Sequence, residues 1–234
     1  MSDPRVTLLA HTVLTDAGEN VEGLERDYFA EKGAGYTSPA DHLAEIAGRQ
    51  CYESWSRPNP KTAANADYLA NVIRQQHTSV LAHASFTFRL TGVSRSLTHE
   101  LIRHRFLAVS EVSQRYVDMS ESYTVEPPAL TDLWNIGDVR SHHAKSVELY
   151  NELVETMIAT GATRKQAREA ARCVLPGGTE TKMIVSGNVR AWRDFVAQRR
   201  SVSADREIYE IADAVLHILH DYAPSSVSDL WDDA

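Results

Sequence analysis

A chain of 234 residues is long enough to bury a full core as one domain, and 43% hydrophobic content is ordinary for a globular protein. No apolar run approaches the ~20 residues of a membrane helix, and the N-terminal apolar stretch is too short for a secretory signal. The two cysteines, Cys51 and Cys173, do not make a disulfide framework, so a cytoplasmic protein with no membrane partner is expected. A net charge of -8 argues against a general nucleic-acid binder, which needs a basic surface.

Residues 5–10 read as a short first strand. Residues 15–37 are polar and carry glycines across Gly18–Gly35, the composition of a mobile loop. Ser38-Pro39 has the form of an N-cap followed by proline at the first helical position. Leu43, Ile46, Ala47 and Cys51 then repeat at helical spacing, and Pro58 and Pro60 are expected to end that helix. A second helix is expected over Thr62–Gln76, with Tyr68, Leu69, Val72 and Ile73 inward. Ala84–Leu90 alternates as a half-buried strand that Gly92 closes, and a helix over Ser94–Arg105 follows. Strong helical patterns cover Val139–Thr160, ending at Gly161, and Thr163–Val174, ending before Pro176. Thr181–Ser186 is a strand candidate, Val189–Arg200 a helix, and Asp205–His220 an amphipathic helix with Ile208, Ile211, Val215 and Ile218 on one face. The sequence therefore predicts a single α+β domain over 1–234, mostly helical, with a small central antiparallel or mixed sheet.

The chemistry concentrates in two places. Of 24 basic residues 19 are arginine, and twelve of those fall within Arg95–Arg115 and Arg164–Arg206. Codon bias explains a high Arg/Lys ratio but not clustering. Arg103-His104-Arg105 is followed, after seven residues, by Ser113-Gln114-Arg115. Like charges this close repel unless an anion sits among them, and guanidinium groups grip phosphates and carboxylates with paired hydrogen bonds. In a helix over 94–105, Glu100 and Arg103 would share a face. The following loop adds Glu111, Val112, Ser113, Gln114 and Arg115, which could hydrogen-bond a heterocycle and hold its phosphate. In the second cluster Arg172 closes one helix, Asn188 and Arg190 open the next where backbone N–H groups favour anions, and Arg199 lies at its far end. A solvated helix end with ion pairs is the plain alternative for each.

Cys51 and Arg57 have the Cys-x5-Arg spacing of cysteine phosphatases, but the stretch between them has no glycine to cradle phosphate. Cys51 continues the apolar stripe and reads as a core cysteine, as does Cys173. None of the ten histidines has a ligand set at zinc spacing, and there is neither a G-x-G-x-x-G turn nor a P-loop. No metal site is expected.

The Arg-His-Arg-x7-Ser pattern resembles the signature of the flavin-dependent thymidylate synthases. The likeness extends through Gly48–Thr62, His77–His83, Ser94–Ile102, Ala170–Pro176 and Gly187–Arg193, covering roughly residues 40–220. The resemblance implies C5-methylation of the uracil of dUMP or UMP. It implies FAD, with NADPH as reductant and 5,10-methylenetetrahydrofolate as carbon donor, and a homotetramer with active sites at subunit interfaces. It also implies no cysteine nucleophile. By similarity FAD contacts Ser79, Arg103, His104, Arg105, Glu111, Asn188, Arg190 and Asp194. The nucleotide meets Glu100, Arg103, Glu111 to Arg115 and Arg172, and Arg199 favours ionisation at uracil N3. Ala82, Ala108, Ser110, Asp194, Arg200 and Ser203 depart from the usual pattern. Such departures fit a specialised relative, for example one resembling the uridylate methylases of polyoxin-type antibiotic pathways. A non-catalytic flavin- or nucleotide-binding relative is the alternative.

Overall fold

The computed structural model describes residues 5–15, 38–55, 59–130 and 136–232. The loop expected at 15–37, apart from Thr15, lies outside these, as do Arg57 and Pro58. The fold is α+β: helices surround one four-stranded antiparallel sheet of order β1-β2-β4-β3. The strands are β1 (Arg5–His11), β2 (Ser85–Ser94), β3 (Ala108–Glu111) and β4 (Glu180–Asn188). The larger helices are α1 (Pro39–Tyr52), α2 (Asn65–Arg74), α3 (Arg95–Leu101), α4 (Ile136–Ala159), α5 (Arg164–Ala171), α6 (Val189–Arg199) and α7 (Arg206–Tyr222). A short α8 (Ser228–Asp232) follows.

β2 and β4 form the sheet's centre, with Phe88 opposite Val185 and Leu90 opposite Met183. Alternation turns Phe86, Phe88, Leu90, Met183 and Val185 into the core, where they meet Trp192 and Phe195 of α6 and the apolar face of α7. Trp192 packs edge-on against Phe88, with centroids 4.9 Å apart, and donates its indole N–H to the Phe86 carbonyl at 3.2 Å. The stripe expected on α7 is buried at Ile208, Ile211 and Val215 and half-buried at Ile218.

Several boundaries move. Gly92 does not close β2: it adopts φ 68° within the strand, where the register to β4 shifts between Leu90 and Val93. A bulge at glycine accounts for it, since glycine takes positive φ without penalty. α3 stops at Leu101, so Arg103 lies in a turn rather than on a helical face with Glu100. α1 ends with Glu53 in the left-handed region at φ 47°, before either proline. Residues 108–111, read as loop, form an edge strand paired with β4 from Ser186 to Met183.

α1 holds the largest surprise. Leu43, Ile46 and Ala47 are half-buried and Cys51 is exposed, as is Cys173, so neither cysteine belongs to the core. The deepest row is Asp41, Glu45 and Arg49, at 1%, 0% and 3% exposure. Asp41 accepts from the backbone N–H groups of Ser225 and Ser226 and from the Ser226 hydroxyl, tying α1 to the C-terminal segment. Arg49 Nε donates to Glu45 Oε1 at 2.6 Å, Asn65 donates to Glu45 Oε2 at 2.8 Å, and Tyr68 lies 4.7 Å beneath the guanidinium. Each buried charge has partners, which is the condition for burying it at all.

Candidate active site

Two elements linked by side-chain contacts place the first group of residues. α6 begins where β4 ends. Asn188 caps it by accepting from Ala191 N–H at 2.9 Å, and Arg190, Asp194, Gln198 and Arg199 follow on its outward side. The turn after α3 supplies Arg103, His104, Arg105 and Phe106. Together Arg103, His104, Arg105, Phe106, Asp194, Gln198 and Arg199 line a cleft of about 440 Å3. Ala82, Phe106, Asn188, Arg190, Ala191 and Asp194 line a second of about 370 Å3. The clefts share Phe106 and Asp194. Six residues expected around flavin (Arg103, His104, Arg105, Asn188, Arg190 and Asp194) thus stand around one pair of adjoining clefts. Ser79 lies outside them, exposed in the turn Thr78–Ala82, whose last residue borders the second cleft.

Arg199 is held from three directions. Its Nη1 donates to Glu100 Oε2 at 2.6 Å, Nη2 to the Glu100 carbonyl at 3.2 Å, and Nε to His104 Nε2 at 3.0 Å. The His104 ring is fixed edge-on against Phe195 with centroids 5.1 Å apart. Burial lowers the His104 pKa, the neighbouring Arg199 charge adds to that, and Asp194 opposes it. The imidazole is therefore neutral near pH 7. Burial likewise lowers His143, whose Nε2 lies 3.1 Å from the Ser122 carbonyl.

A histidine kept neutral by burial protonates more readily in the unfolded chain, so the unfolded state gains protons first as pH falls. Stability should accordingly decline as pH drops through about 6.5 and stop declining below the folded-state value. Urea titrations from about pH 7 to pH 5 test this on His143, which lies away from the clefts. H143Q should flatten part of the decline; an unchanged slope would show that His143 does not titrate on unfolding.

The second group lies elsewhere. β3 carries the chain away from Phe106, and the three steps from Ala108 to Glu111 at about 3.3 Å each put roughly 10 Å between the strand's ends. Glu111 accepts from Arg95, at the opposite end of α3 from Glu100, at 2.9 Å. Val112 and Ser113 are half-buried, and Gln114 is 6% exposed with its Nε2 unpartnered. Arg115 Nε donates to Glu169 of α5 at 3.0 Å, and Arg172 stands one helical turn beyond Glu169. The signature's two halves therefore occupy opposite ends of a short strand. Glu100 and Arg103 stand with the first half, and Glu111 to Arg115 and Arg172 form the second.

Several arginines are held by carboxylates, Arg115 and Arg199 of the expected site among them. Arg49, Arg95, Arg168, Arg193 and Arg200 are each paired with a carboxylate. No carboxylate among the described residues pairs with Arg103, Arg105, Arg172 or Arg190. Unpaired guanidinium groups beside a helix N-terminus fit an anionic ligand, and Phe106, 82% exposed, offers a ring for stacking. Gly187 fits the same geometry, since a Cβ there would lie 2.4 Å from Leu107 in the turn that enters β3. The donor set suits a phosphate-bearing aromatic cofactor. Phe106 and Gln198 carried no sequence signal, because a lone aromatic and a lone amide have no pattern.

A further cavity, of about 610 Å3, lies between residues 122–126 and α4. Its lining is mostly apolar and its one arginine, Arg140, pairs with Glu126. It contains none of the expected site residues. No group of His, Cys, Asp and Glu suited to a metal ion occurs among the described residues, and no described helix is long and apolar enough to cross a membrane.

Fold and clefts together define an α+β protein with an arginine-lined site for anionic ligands. Residues 34–225 match the family model described as thymidylate synthase complementing protein. The chain is 49% identical over 214 residues to the flavin-dependent thymidylate synthase of Mycobacteroides abscessus, covering 87% of this chain and 86% of that one. It is 47% identical to the protein of the same description from Mycobacterium avium and 46% to that from Mycobacterium tuberculosis, with the same coverage. The chain belongs to the thymidylate synthase complementing protein family.

Proposed function

We propose that this protein is a flavin-dependent methyltransferase acting on C5 of the uracil of a uridine monophosphate, with dUMP as substrate and thymidylate as product. The observation that carries this reading is the pair of clefts in which Arg103, Arg105 and Arg190 stand without carboxylate partners beside Arg199. Relatives alike over most of their length are named flavin-dependent thymidylate synthases, which supports the same reaction here.

In this reading Arg103, His104, Arg105, Asn188 and Arg190 hold FAD, with Ser79 and Glu111 at its edges. FAD held there would supply redox chemistry, linking NADPH as reductant to conversion of the one-carbon unit of 5,10-methylenetetrahydrofolate into a methyl group. The protein's own part is positional and electrostatic. Glu100 and Arg103 meet the nucleotide from one side, and Glu111 to Arg115 and Arg172 from another. A fixed guanidinium at Arg199 beside uracil N3 stabilises negative charge there and makes C5 electron-rich. Neither cysteine is needed.

The separation of the two arginine groups within one chain supports a site completed by neighbouring subunits, as in a homotetramer. An Arg199→Ala protein and an Arg172→Ala protein, each inactive alone, should then regain activity when mixed and allowed to exchange chains. Failure to regain it, with exchange verified by mass, would place both residues in a site built from one chain.

Purified protein should be yellow, and its NADPH oxidation should depend on flavin and be coupled to nucleotide methylation. Flavin retention without any NADPH oxidation would favour a non-catalytic binding relative instead.

A further inference from the structure

The contacts around His104 settle where its proton sits, and that gives Asp194 a purpose. Arg199 cannot give up its Nε proton, so the 3.0 Å contact to His104 Nε2 is a donation from arginine into a bare ring nitrogen. A neutral imidazole with a bare Nε2 carries its proton on Nδ1. That Nδ1–H faces Oδ2 of Asp194 at 3.7 Å. The other carboxylate oxygen, Oδ1, accepts from Gln198 Nε2 at 2.8 Å, one turn further along α6. The charged groups acting on the ring are Arg199 and Arg103 on one side and Asp194 on the other, with the Phe195 ring fixing its plane.

We propose that Asp194 is a positioning residue of the reaction: by holding the His104 proton on Nδ1 it keeps Nε2 free to receive Arg199, and so aims the Arg199 guanidinium. The chain of contacts runs Gln198, Asp194, His104, Arg199, Glu100, and joins the middle of α6 to the end of α3. At 3.7 Å the Asp194–His104 contact is electrostatic rather than a tight hydrogen bond, and such contacts commonly shorten when ligands bind. A carboxylate among flavin phosphates would be unfavourable; a carboxylate that selects a histidine tautomer is a familiar device. The assignment rests on the role given to Arg199 above and redirects Asp194 from flavin contact to orientation of the catalytic arginine.

The test is nitrogen-15 NMR of the His104 ring in the flavin-loaded full-length protein, with assignment by comparison to H104Q. The wild type should show a neutral ring protonated at Nδ1. Asp194→Ala should move that proton partly or wholly to Nε2 and lower methyl transfer roughly tenfold, at unchanged flavin occupancy. Asp194→Asn, whose amide oxygen still accepts from Nδ1–H, should restore both readouts. A wild-type ring protonated at Nε2, or an Asp194→Ala protein with unaltered tautomer and rate, would overturn the proposal. The tautomer is read without turnover, so a protein that methylates nothing would defeat the proposed function while still deciding whether Asp194 sets the His104 proton.

Discussion

Arg199→Ala should reduce methyl transfer by a hundredfold or more while the protein stays yellow. Removing one preorganised electrostatic donor from a site typically costs about 10²–10³ in turnover. Flavin should remain because Arg103, Arg105 and Arg190 face the clefts independently of Arg199. The fold should also survive: Glu100, the freed carboxylate, is 33% exposed and can be solvated. Arg199→Lys should recover little, since one ammonium cannot reproduce donation to Glu100 Oε2, the Glu100 carbonyl and His104 Nε2 together. Flavin absorbance and single-turnover product formation on the same sample separate binding from chemistry. Loss of flavin along with activity would show Arg199 to be a cofactor-holding residue instead.

The largest effect on stability should come from Glu45, far from the clefts. Its carboxylate is fully buried and pairs with the guanidinium of Arg49, itself 3% exposed. Burial raises the Glu45 pKa, and the Arg49 charge and the Asn65 hydrogen bond counter that rise. Glu45→Ala removes the carboxylate that faces the buried Arg49 guanidinium and takes one of the two acceptors of the Asn65 amide, leaving the Asp41 carbonyl at 3.1 Å. Breaking a buried pair from one side costs about 3–5 kcal/mol, enough to lower the melting temperature by roughly 10 °C in a chain of this size. The double variant Glu45→Leu/Arg49→Met, which removes both charges at similar volume, should recover most of the loss. A Glu45→Ala protein that melts within a degree or two of wild type would mean that water reaches Arg49.

These two residues also mark what the sequence could and could not disclose. Arg199 was visible because arginine clusters are conspicuous in a chain of net charge -8, and because the Arg-His-Arg-x7-Ser pattern resembles a known family. Glu45 was invisible. Helical periodicity assumes that apolar residues mark the inner face, whereas α1 turns Asp41, Glu45 and Arg49 inward, and their partners come from as far away as Asn65, Ser225 and Ser226. Cys51 was misplaced by the same assumption.

Long amphipathic elements such as α7 were legible in full, and Gly161, at φ 95°, marks the end of α4 as its position suggested. β3 was not legible: four residues are too few for alternation to register, and its pairing partner lies some seventy residues away along β4. The strand matters most for function, because it parts the two halves of the signature. Spacing along the chain suggested one anion trap; the structure puts its two halves at opposite ends of β3.

The most direct measurement is mass spectrometry of the nucleotides formed when the purified protein is incubated with FAD, NADPH and 5,10-methylenetetrahydrofolate, with dUMP and UMP in parallel. A C5-methylated product from dUMP is expected, formed only when folate and reductant are both present. Product from UMP alone would keep the methyltransferase and change its substrate. Unmodified nucleotide in both incubations, from protein that retains flavin, would contradict the proposed function.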